Sequence, residues 1–257
     1  MIICRGLDKI DQINSLEEWK EKCPPEKPKI QWVEGRSAHS LASYWLGGKG
    51  EVPNELDTLL NSHPDLGGTR LIYGSPEYES RFDSYGKGRQ HDFLSIGSCN
   101  NEKILLSVEA KVDESFGNET IESYYIKAKI KQLNGENTKV TNRIEELLLG
   151  VFKKPLSNSI STLRYQLIHA IAGTLAESKK QEATKAIFII QAFTTDKACV
   201  EKVIENNKEL DKLIKALSGG RNSEIANGEL LGPFNVPGNS YIPSEIPLYI
   251  GKIVTKI

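Results

Sequence analysis

Apolar and polar residues follow two different spacings along the chain, and the clearest pair of elements lies beyond its middle. Between 163 and 175, leucine and isoleucine recur every four residues, which predicts a helix over 161–179 with Ser161 as its N-terminal cap. The run at 186–193 is almost entirely apolar and has the length of a strand, as expected of a strand buried on both faces. A helix followed directly by a buried strand indicates an α/β fold.

Other segments show the same two spacings. Further helices are predicted over 37–47, 53–60, 121–133, 139–149 and 196–217, and strands over 70–73, 91–98, 103–112 and 248–257. Asn100 and Asn101 tolerate the positive φ that a hairpin turn requires. Residues 74–90 lack periodicity, and we interpret them as a loop. The pattern predicts one α/β domain with a mixed sheet, comprising an N-terminal helical region, a core, and a C-terminal helix and strand, at 1–69, 70–195 and 196–257.

The charge balance excludes one general explanation of function. The 257 residues include 33 Lys and Arg against 34 Asp and Glu, which gives a formal net charge of −1. A near-neutral chain has no bulk attraction to nucleic acid or to an anionic membrane. If the protein binds a polyanion, it must therefore do so through a local patch or a metal ion.

Targeting segments and cysteine clusters are not expected from the sequence. Only residues 1–4 precede the first charge, and no apolar run approaches the roughly 18 residues of a membrane span. The four cysteines, at 4, 23, 99 and 199, are scattered, whereas a disulfide framework or a zinc ribbon needs clustered cysteines. We interpret them as reduced cysteines of a cytoplasmic protein.

The predicted hairpin carries the candidate chemistry. In 103–112 the even-numbered positions are all apolar, whereas Glu109 and Lys111 end the opposite face of the strand. Asp92 heads the partner strand, and a hairpin brings the start of one strand beside the end of the next, so Asp92 is expected near both. Two carboxylates suit Mg²⁺ or Mn²⁺. A lysine beside them can orient or deprotonate a water, or stabilise a developing oxyanion.

A plainer interpretation of the same residues stays open. The pattern Glu-x-Lys occurs three times, and the copies at 18–20 and 177–179 lie in charged segments typical of solvated helices. Only the copy at 109–111 ends an apolar strand that follows a strand headed by an acid. In the alternative, Glu109 and Lys111 form an edge-strand ion pair of the kind that contributes little to stability.

The order of these features resembles the PD-(D/E)XK nuclease-like superfamily. An acid heads one strand, Glu-Ala-Lys ends the next strand, and a helix and a buried strand follow. The resemblance covers roughly 70–195 and is closer still to an uncharacterised bacterial branch of restriction-endonuclease-like proteins. The segments that carry it are GRSAHSLASYW (35–45), SPEYESRF (75–82), RQHDFLSI (89–96), VEAKVDESFG (108–117) and RYQLIHAIA (164–172). It implies a restriction-endonuclease-like mixed β-sheet flanked by helices, and magnesium-dependent phosphodiesterase ancestry.

The resemblance also implies roles for individual residues of the hairpin. Asp92 and Glu109 would bind Mg²⁺ or Mn²⁺ through their carboxylates. The carbonyl oxygen of Ala110 would be a third ligand, and Lys111 would be the catalytic lysine.

Further roles follow from the same resemblance, with alternatives. Glu77, or Glu79 in its place, would supply an additional acid, unless it is an exposed loop charge. Members often carry Gln-xxx-Tyr on the following helix, but here the tyrosine is missing after Gln166. Arg164, Gln166 and His169 are the expected phosphate or strand contacts in its stead. His169 has a second interpretation as a histidine satisfied at the edge of the core.

The expected function is a metal-dependent nuclease with DNA as its expected substrate, and restriction or phage defence as candidate roles. A non-catalytic nucleic-acid-binding or assembly module that keeps the nuclease fold is the alternative, and a hydrolase of a small phosphorylated molecule is a third. Nucleases of this architecture that cut both strands are often dimers, so a homodimer stays open, and no membrane partner is expected. The lysine excess at 124–154 is either a base-stacking surface with Tyr124 and Tyr125 or an ordinary solvated face.

Overall fold

The computed structural model describes residues 1–257 and contains a seven-stranded mixed β-sheet with the spatial order β1-β2-β3-β4-β5-β7-β6. The strands are β1 (Ile2–Ile3), β2 (Arg70–Ser80), β3 (Arg89–Cys99), β4 (Glu102–Lys111), β5 (Lys185–Thr194), β6 (Glu229–Phe234) and β7 (Leu248–Lys256). The helices are α1 (Leu16–Lys22), α2 (Pro28–Gln31), α3 (Ser37–Gly47), α4 (Asn54–Asn61), α5 (Ile121–Leu133), α6 (Val140–Phe152), α7 (Asn158–Ser161), α8 (Tyr165–Lys180) and α9 (Val200–Leu217).

The sheet combines an antiparallel meander with parallel strands. β2, β3 and β4 pair antiparallel, whereas β5 lies parallel to β4, and β7 lies parallel to β5. A parallel neighbour requires a long crossover, and α5 to α8 supply the one between β4 and β5. At the edges, β1 is parallel to β2 and β6 is antiparallel to β7. The predicted α/β fold with a mixed sheet flanked by helices is confirmed.

The strand β5 contributes side chains to two hydrophobic cores. Ile187 and Ile189 pack in a core that includes residues of α1, α3 and α4. Phe188 and Ile190 pack in a second core, which includes residues of α5, α6, α8 and α9. This confirms the prediction of a strand buried on both faces. None of the helices combines the length and the apolar character needed to cross a membrane.

The predicted hairpin turn is also confirmed, but the loop predicted over 74–90 is correct only for residues 81–88. Asn100 and Asn101 both have positive φ, 51° and 65°. Residues 74–80 form the second half of β2 instead of a loop. β1 covers β2 only at residues 73 and 74, so the rest of β2 is an edge, which tolerates Pro76 and polar side chains. The short β1 and the glycine- and proline-containing β6 were not predicted at all.

The helix predicted over 161–179 begins later than expected. Residues 158–161 form the separate helix α7, and α8 begins at Tyr165 with Arg164 as its N-cap, so Ser161 does not cap it. Thr120 and Arg164 form an isolated antiparallel bridge, which holds Arg164 in extended backbone with ψ at 125°. The extended residue delays the helix, and it fixes the first turn of α8 beside the loop that follows β4.

Helix α8 lies close to the beginning of β3 because Gly173 has no side chain. A Cβ at this position would lie 2.8 Å from Cβ of Arg89 and 3.0 Å from Nε2 of His91. Arg89 and His91 are 7% and 0% exposed. The glycine therefore makes room for two polar side chains between the helix and the sheet.

Gly173→Ala is expected to lower the free energy of unfolding by about 1–3 kcal/mol, because overpacking outweighs the roughly 1 kcal/mol that alanine ordinarily adds in a helix. Urea unfolding followed by circular dichroism measures the change. Gly47→Ala, in α3, is the control, since a Cβ at that position would have no atom within 4 Å. Equal stability of the two variants would contradict the close approach.

Candidate active site

Strands β3 and β4 separate at the point where the predicted acids lie. Their pairing ends with Phe93 opposite Val108, so the β4 backbone beyond it has no β3 partner. Oδ2 of Asp92 accepts a hydrogen bond of 2.7 Å from the backbone N–H of Ala110. The carboxylate thus takes the place of a strand carbonyl, and this bond fixes Asp92 beside the end of β4.

Glu109 is the most enclosed of the predicted residues, and both of its carboxylate oxygens have partners. Its Oε1 accepts bonds of 2.7 Å from Nζ of Lys111 and 2.7 Å from Nε2 of Gln166. Its Oε2 pairs with the guanidinium of Arg89. The residue is 1% exposed, so one carboxylate lies buried among two cations and an amide. This is a buried network, not the exposed edge-strand pair of the plainer interpretation.

Lys111 joins this network from the last position of β4. It is 8% exposed, and its ammonium lies 5.5 Å from the ring centre of Phe116. Burial lowers the pKa of Lys111, and the Arg89 cation acts in the same direction, whereas the Asp92 carboxylate raises it. A lysine whose charged form is disfavoured loses a proton more readily than a solvated one, as proton transfer at neutral pH requires.

Glu77 lies on β2 in a different environment. Its φ is 47°, and its Oε2 accepts a bond of 2.8 Å from the side-chain amide of Gln90. Burial, and next the nearby Asp92 carboxylate, raise the pKa of Glu77 to about 8. The two acids line one small pocket of about 160 Å³, together with Arg89 and Gln166. Glu79 instead accepts a bond from the backbone of residue 88 and does not line this pocket, so Glu77 is the acid that the fold brings to the site.

These surroundings decide which residues fit a divalent cation. No three His, Cys, Asp or Glu side chains converge as a ready metal site. Glu109 offers no free oxygen while it is paired, so the predicted set of Asp92, Glu109 and Ala110 is not assembled. Glu77 and Asp92 share a pocket and have no cationic partner within salt-bridge distance, and their oxygens are the donors that Mg²⁺ prefers. The residues therefore fit a cation at Glu77 and Asp92 and not at Glu109.

A larger cleft of about 830 Å³ opens beside the small pocket. Gln31 and Gln166 line both spaces, and Lys111 lines the cleft. Five cationic and three acidic side chains line the cleft, so it is positive although the whole chain is nearly neutral: Lys27, Arg36, Lys111, Arg164 and Lys202 against Asp113, Glu114 and Glu205.

Most of those charges are already paired within the protein. Arg36 binds Asp113 at 2.6 Å, and Arg164 binds Glu205 at 2.8 Å. Lys27 and Lys202 are exposed, and neither forms a salt bridge. These two ammonium groups are therefore the cations that the cleft leaves available to an anionic ligand.

The three expected substrate contacts separate into two groups. Arg164 and Gln166 line the cleft, at the start of α8. His169 does not line it, since its ring lies 4.7 Å from Phe82 and 5.1 Å from Tyr165. Burial lowers the pKa of His169 well below its usual range, with a further contribution from the Arg89 cation. A neutral histidine packed against aromatic rings fits the alternative interpretation of a core-edge residue, but its Nε2 is buried without a hydrogen-bond partner, so it is not satisfied there.

Arg89 is the central residue that the sequence did not indicate. Regular alternation along β3 places residues 89 and 92 on opposite faces, so Arg89 was not expected near Glu109. The end of the β3–β4 pairing and the positive φ of Glu77 mark an irregularity there, through which the guanidinium reaches the carboxylate. Lys27 and Lys202 were missed for a simpler reason, because they lie far from the hairpin in sequence.

Glu109→Gln is expected to lower the free energy of unfolding by about 3–5 kcal/mol, because it leaves two buried cations without an anion. Glu102→Gln on the same strand is the matched control. Glu102 pairs with Lys185 at 2.6 Å but is half exposed, so its loss should cost less than about 1 kcal/mol. Urea unfolding of both variants measures the difference, and similar losses would show that the Glu109 network contributes little.

Glu77→Gln is expected to change the pH dependence of stability. The folded-state pKa near 8 lies above the ordinary glutamate value of about 4.3. Between these values the unfolded chain has lost the proton that the folded chain keeps, so the wild type loses stability as pH rises through this window. The Gln variant lacks this loss, and its stability relative to the wild type should increase from pH 5 to pH 8 in the presence of a chelator. A stability difference between variant and wild type that stays constant across that range would contradict the raised pKa of Glu77. Glu79→Gln is the control, since it also removes a carboxylate from β2.

Comparison with known proteins gives one match. A search of curated proteins and a search of solved structures each found no match. A family model described as a domain of unknown function, DUF6946, matches residues 12–257 and so spans nearly the whole chain, including every residue of the site described above. The chain therefore belongs to the DUF6946 family.

Proposed function

We propose that this protein is a divalent-metal-dependent nuclease that hydrolyses phosphodiester bonds, with DNA as the expected substrate. The observation that carries the proposal is the convergence of Asp92, Glu109 and Lys111 where β3 and β4 separate, at the end of a cation-lined cleft. Neither a lone ion pair nor an isolated acid would account for that combination. The resemblance to PD-(D/E)XK nucleases, which rests on the same residues, agrees with it.

In this proposal the acidic side chains have two roles, metal binding and positioning of Lys111. Glu77 and Asp92 would hold a Mg²⁺ or Mn²⁺ ion, which when bound would polarise a phosphodiester and lower the pKa of a water. Lys111, whose own pKa is lowered by burial, would orient an attacking water as an ammonium, or accept a proton from it once the lysine itself is neutral. Glu109 holds the Lys111 ammonium in place at 2.7 Å, and the Gln166 amide helps to orient Glu109.

The second candidate is a nucleic-acid-binding or assembly module without catalysis. The specific observation in its favour is that Arg89, Lys111 and Gln166 together occupy both oxygens of Glu109. A carboxylate neutralised in this way stabilises the fold and needs no metal ion. The two candidates share the cleft and differ in whether a metal ion and Lys111 act on a bound substrate.

The setting of this activity is also a proposal. Four cysteines are free, three of them buried, as expected for a reducing cytoplasm. Restriction or phage defence is the candidate role, and a homodimer is the candidate assembly for cutting both strands.

Lys111→Met is expected to reduce nuclease activity at least about 100-fold, the scale of losing a proton-transfer group. Glu109 keeps Arg89 and Gln166 in this variant, so the fold should survive. Lys185→Met is the matched control, since Lys185 lies at the start of β5 and pairs with the half-exposed Glu102. The assay follows cleavage of plasmid, single-stranded DNA and RNA in Mg²⁺ or Mn²⁺.

Two results of that assay would contradict the proposal. Equal activity of Lys111→Met and wild type would remove the lysine from the reaction. Binding of nucleic acid without cleavage under any metal would favour the module instead. Mn²⁺ titration followed by electron paramagnetic resonance separates these outcomes further, because Asp92→Asn should weaken metal binding whereas Glu102→Gln should not.

A further inference from the structure

The residues that line the large cleft indicate which class of nucleic acid the cleft would bind. This inference rests on the proposed function. Of the 15 residues that line the cleft, Ile30 is the one hydrophobic residue and none is aromatic. The other lining groups are cations, acids, amides, a hydroxyl and a glycine. The cleft can therefore pair with phosphates and donate hydrogen bonds, but it has no aromatic side chain on which a base could stack.

This lack of aromatic side chains favours a duplex over a single strand as the ligand of the cleft. Proteins that bind single strands without sequence preference rely on base–aromatic stacking, worth about 1–3 kcal/mol per base. In a duplex the bases already stack on each other, and the phosphate backbone supplies most of the affinity through the release of counterions. A cleft with cations and no aromatic rings therefore favours the backbone of a paired strand.

Lys27 and Lys202 are the groups best suited to contact that backbone. Lys27 immediately precedes α2, and Lys202 lies in the first turn of α9, so two segments far apart in sequence each contribute one ammonium to the cleft. Both are exposed and free of salt bridges, whereas Arg36 and Arg164 are held by acids. Lysine binds phosphate as a point charge, and contacts to phosphate carry no sequence information.

We propose that the cleft binds one phosphate backbone of double-stranded nucleic acid through Lys27 and Lys202, without recognising base sequence. The bound backbone would lie beside Lys111 and Gln166, and Gln166 also lines the pocket of Glu77 and Asp92. The substrate class is therefore duplex, and these two lysines contribute no sequence preference to its binding.

A competing surface exists on α5. Lys127, Lys129 and Lys131 lie on this helix together with the exposed Ile126 and Ile130. Lys127 is paired with Glu119, and Lys129 lies 5.3 Å from the ring centre of Tyr125. None of these residues lines the cleft, so this surface serves as the alternative in the test.

The experiment measures binding separately from cleavage. Fluorescence anisotropy follows the full chain binding a labelled duplex, a second duplex of unrelated sequence, and each single strand, with a chelator present and at several salt concentrations. The duplexes should bind equally and at least about 10-fold more tightly than the single strands. Lys27→Gln and Lys202→Gln should each raise Kd several-fold and reduce the slope of log K against log salt by about 0.9. Lys131→Gln is the matched control and should bind as the wild type does.

Three of the other outcomes overturn the inference, and one overturns only the proposed nuclease. Single strands that bind as tightly as the duplex would refute the substrate class. A loss in Lys131→Gln, without one in Lys27→Gln and Lys202→Gln, would assign binding to α5. If the duplex binds as expected but no metal supports cleavage, the proposed nuclease fails while this inference stands. If cleavage occurs but the cleft lysines have no effect on binding, the inference fails while the nuclease stands.

Discussion

The rest of the site depends on one buried carboxylate. Glu109 compensates the charges of Arg89 and Lys111 in a place that is largely shielded from water, and burying any one of the three charges alone would be unfavourable. The same carboxylate connects β3, β4 and, through Gln166, the first turn of α8. The ion pair with Glu109 therefore sets the position of Lys111. Any chemistry that the lysine performs must be compatible with that ion pair.

Much of this arrangement could be predicted from the sequence, because it rests on local rules. The Asn100-Asn101 turn fixes the hairpin, and alternation along β4 gives Glu109 and Lys111 one face, so Asp92 was expected beside them. The remainder depends on irregular backbone and on distant segments. Arg89 reaches Glu109 because β3 and β4 separate after Phe93, and no periodicity encodes that separation. Lys27 and Lys202 come together only because the fold places α2 and α9 at the same cleft.

The carboxylates of this site lie in two different electrostatic environments. Glu109 is neutralised by cations, whereas Glu77 and Asp92 line one pocket without a salt bridge, and burial, followed by the Asp92 carboxylate, raises the pKa of Glu77. A sequence motif cannot distinguish the two environments, because each side chain is simply a carboxylate in the printed sequence. The distinction comes from neighbours on β3 and α8, and it separates an acid that stabilises the fold from acids available to a ligand.

Asp92 connects the small pocket with the end of the sheet, and this has a mechanical consequence. Its carboxylate faces the pocket, yet it also closes the sheet by binding the amide of Ala110, next to Lys111. A ligand that draws Asp92 away competes with the sheet itself for the same oxygen. Occupancy of the pocket and order at the end of β4 are therefore thermodynamically linked, so that each alters the other by the same free energy.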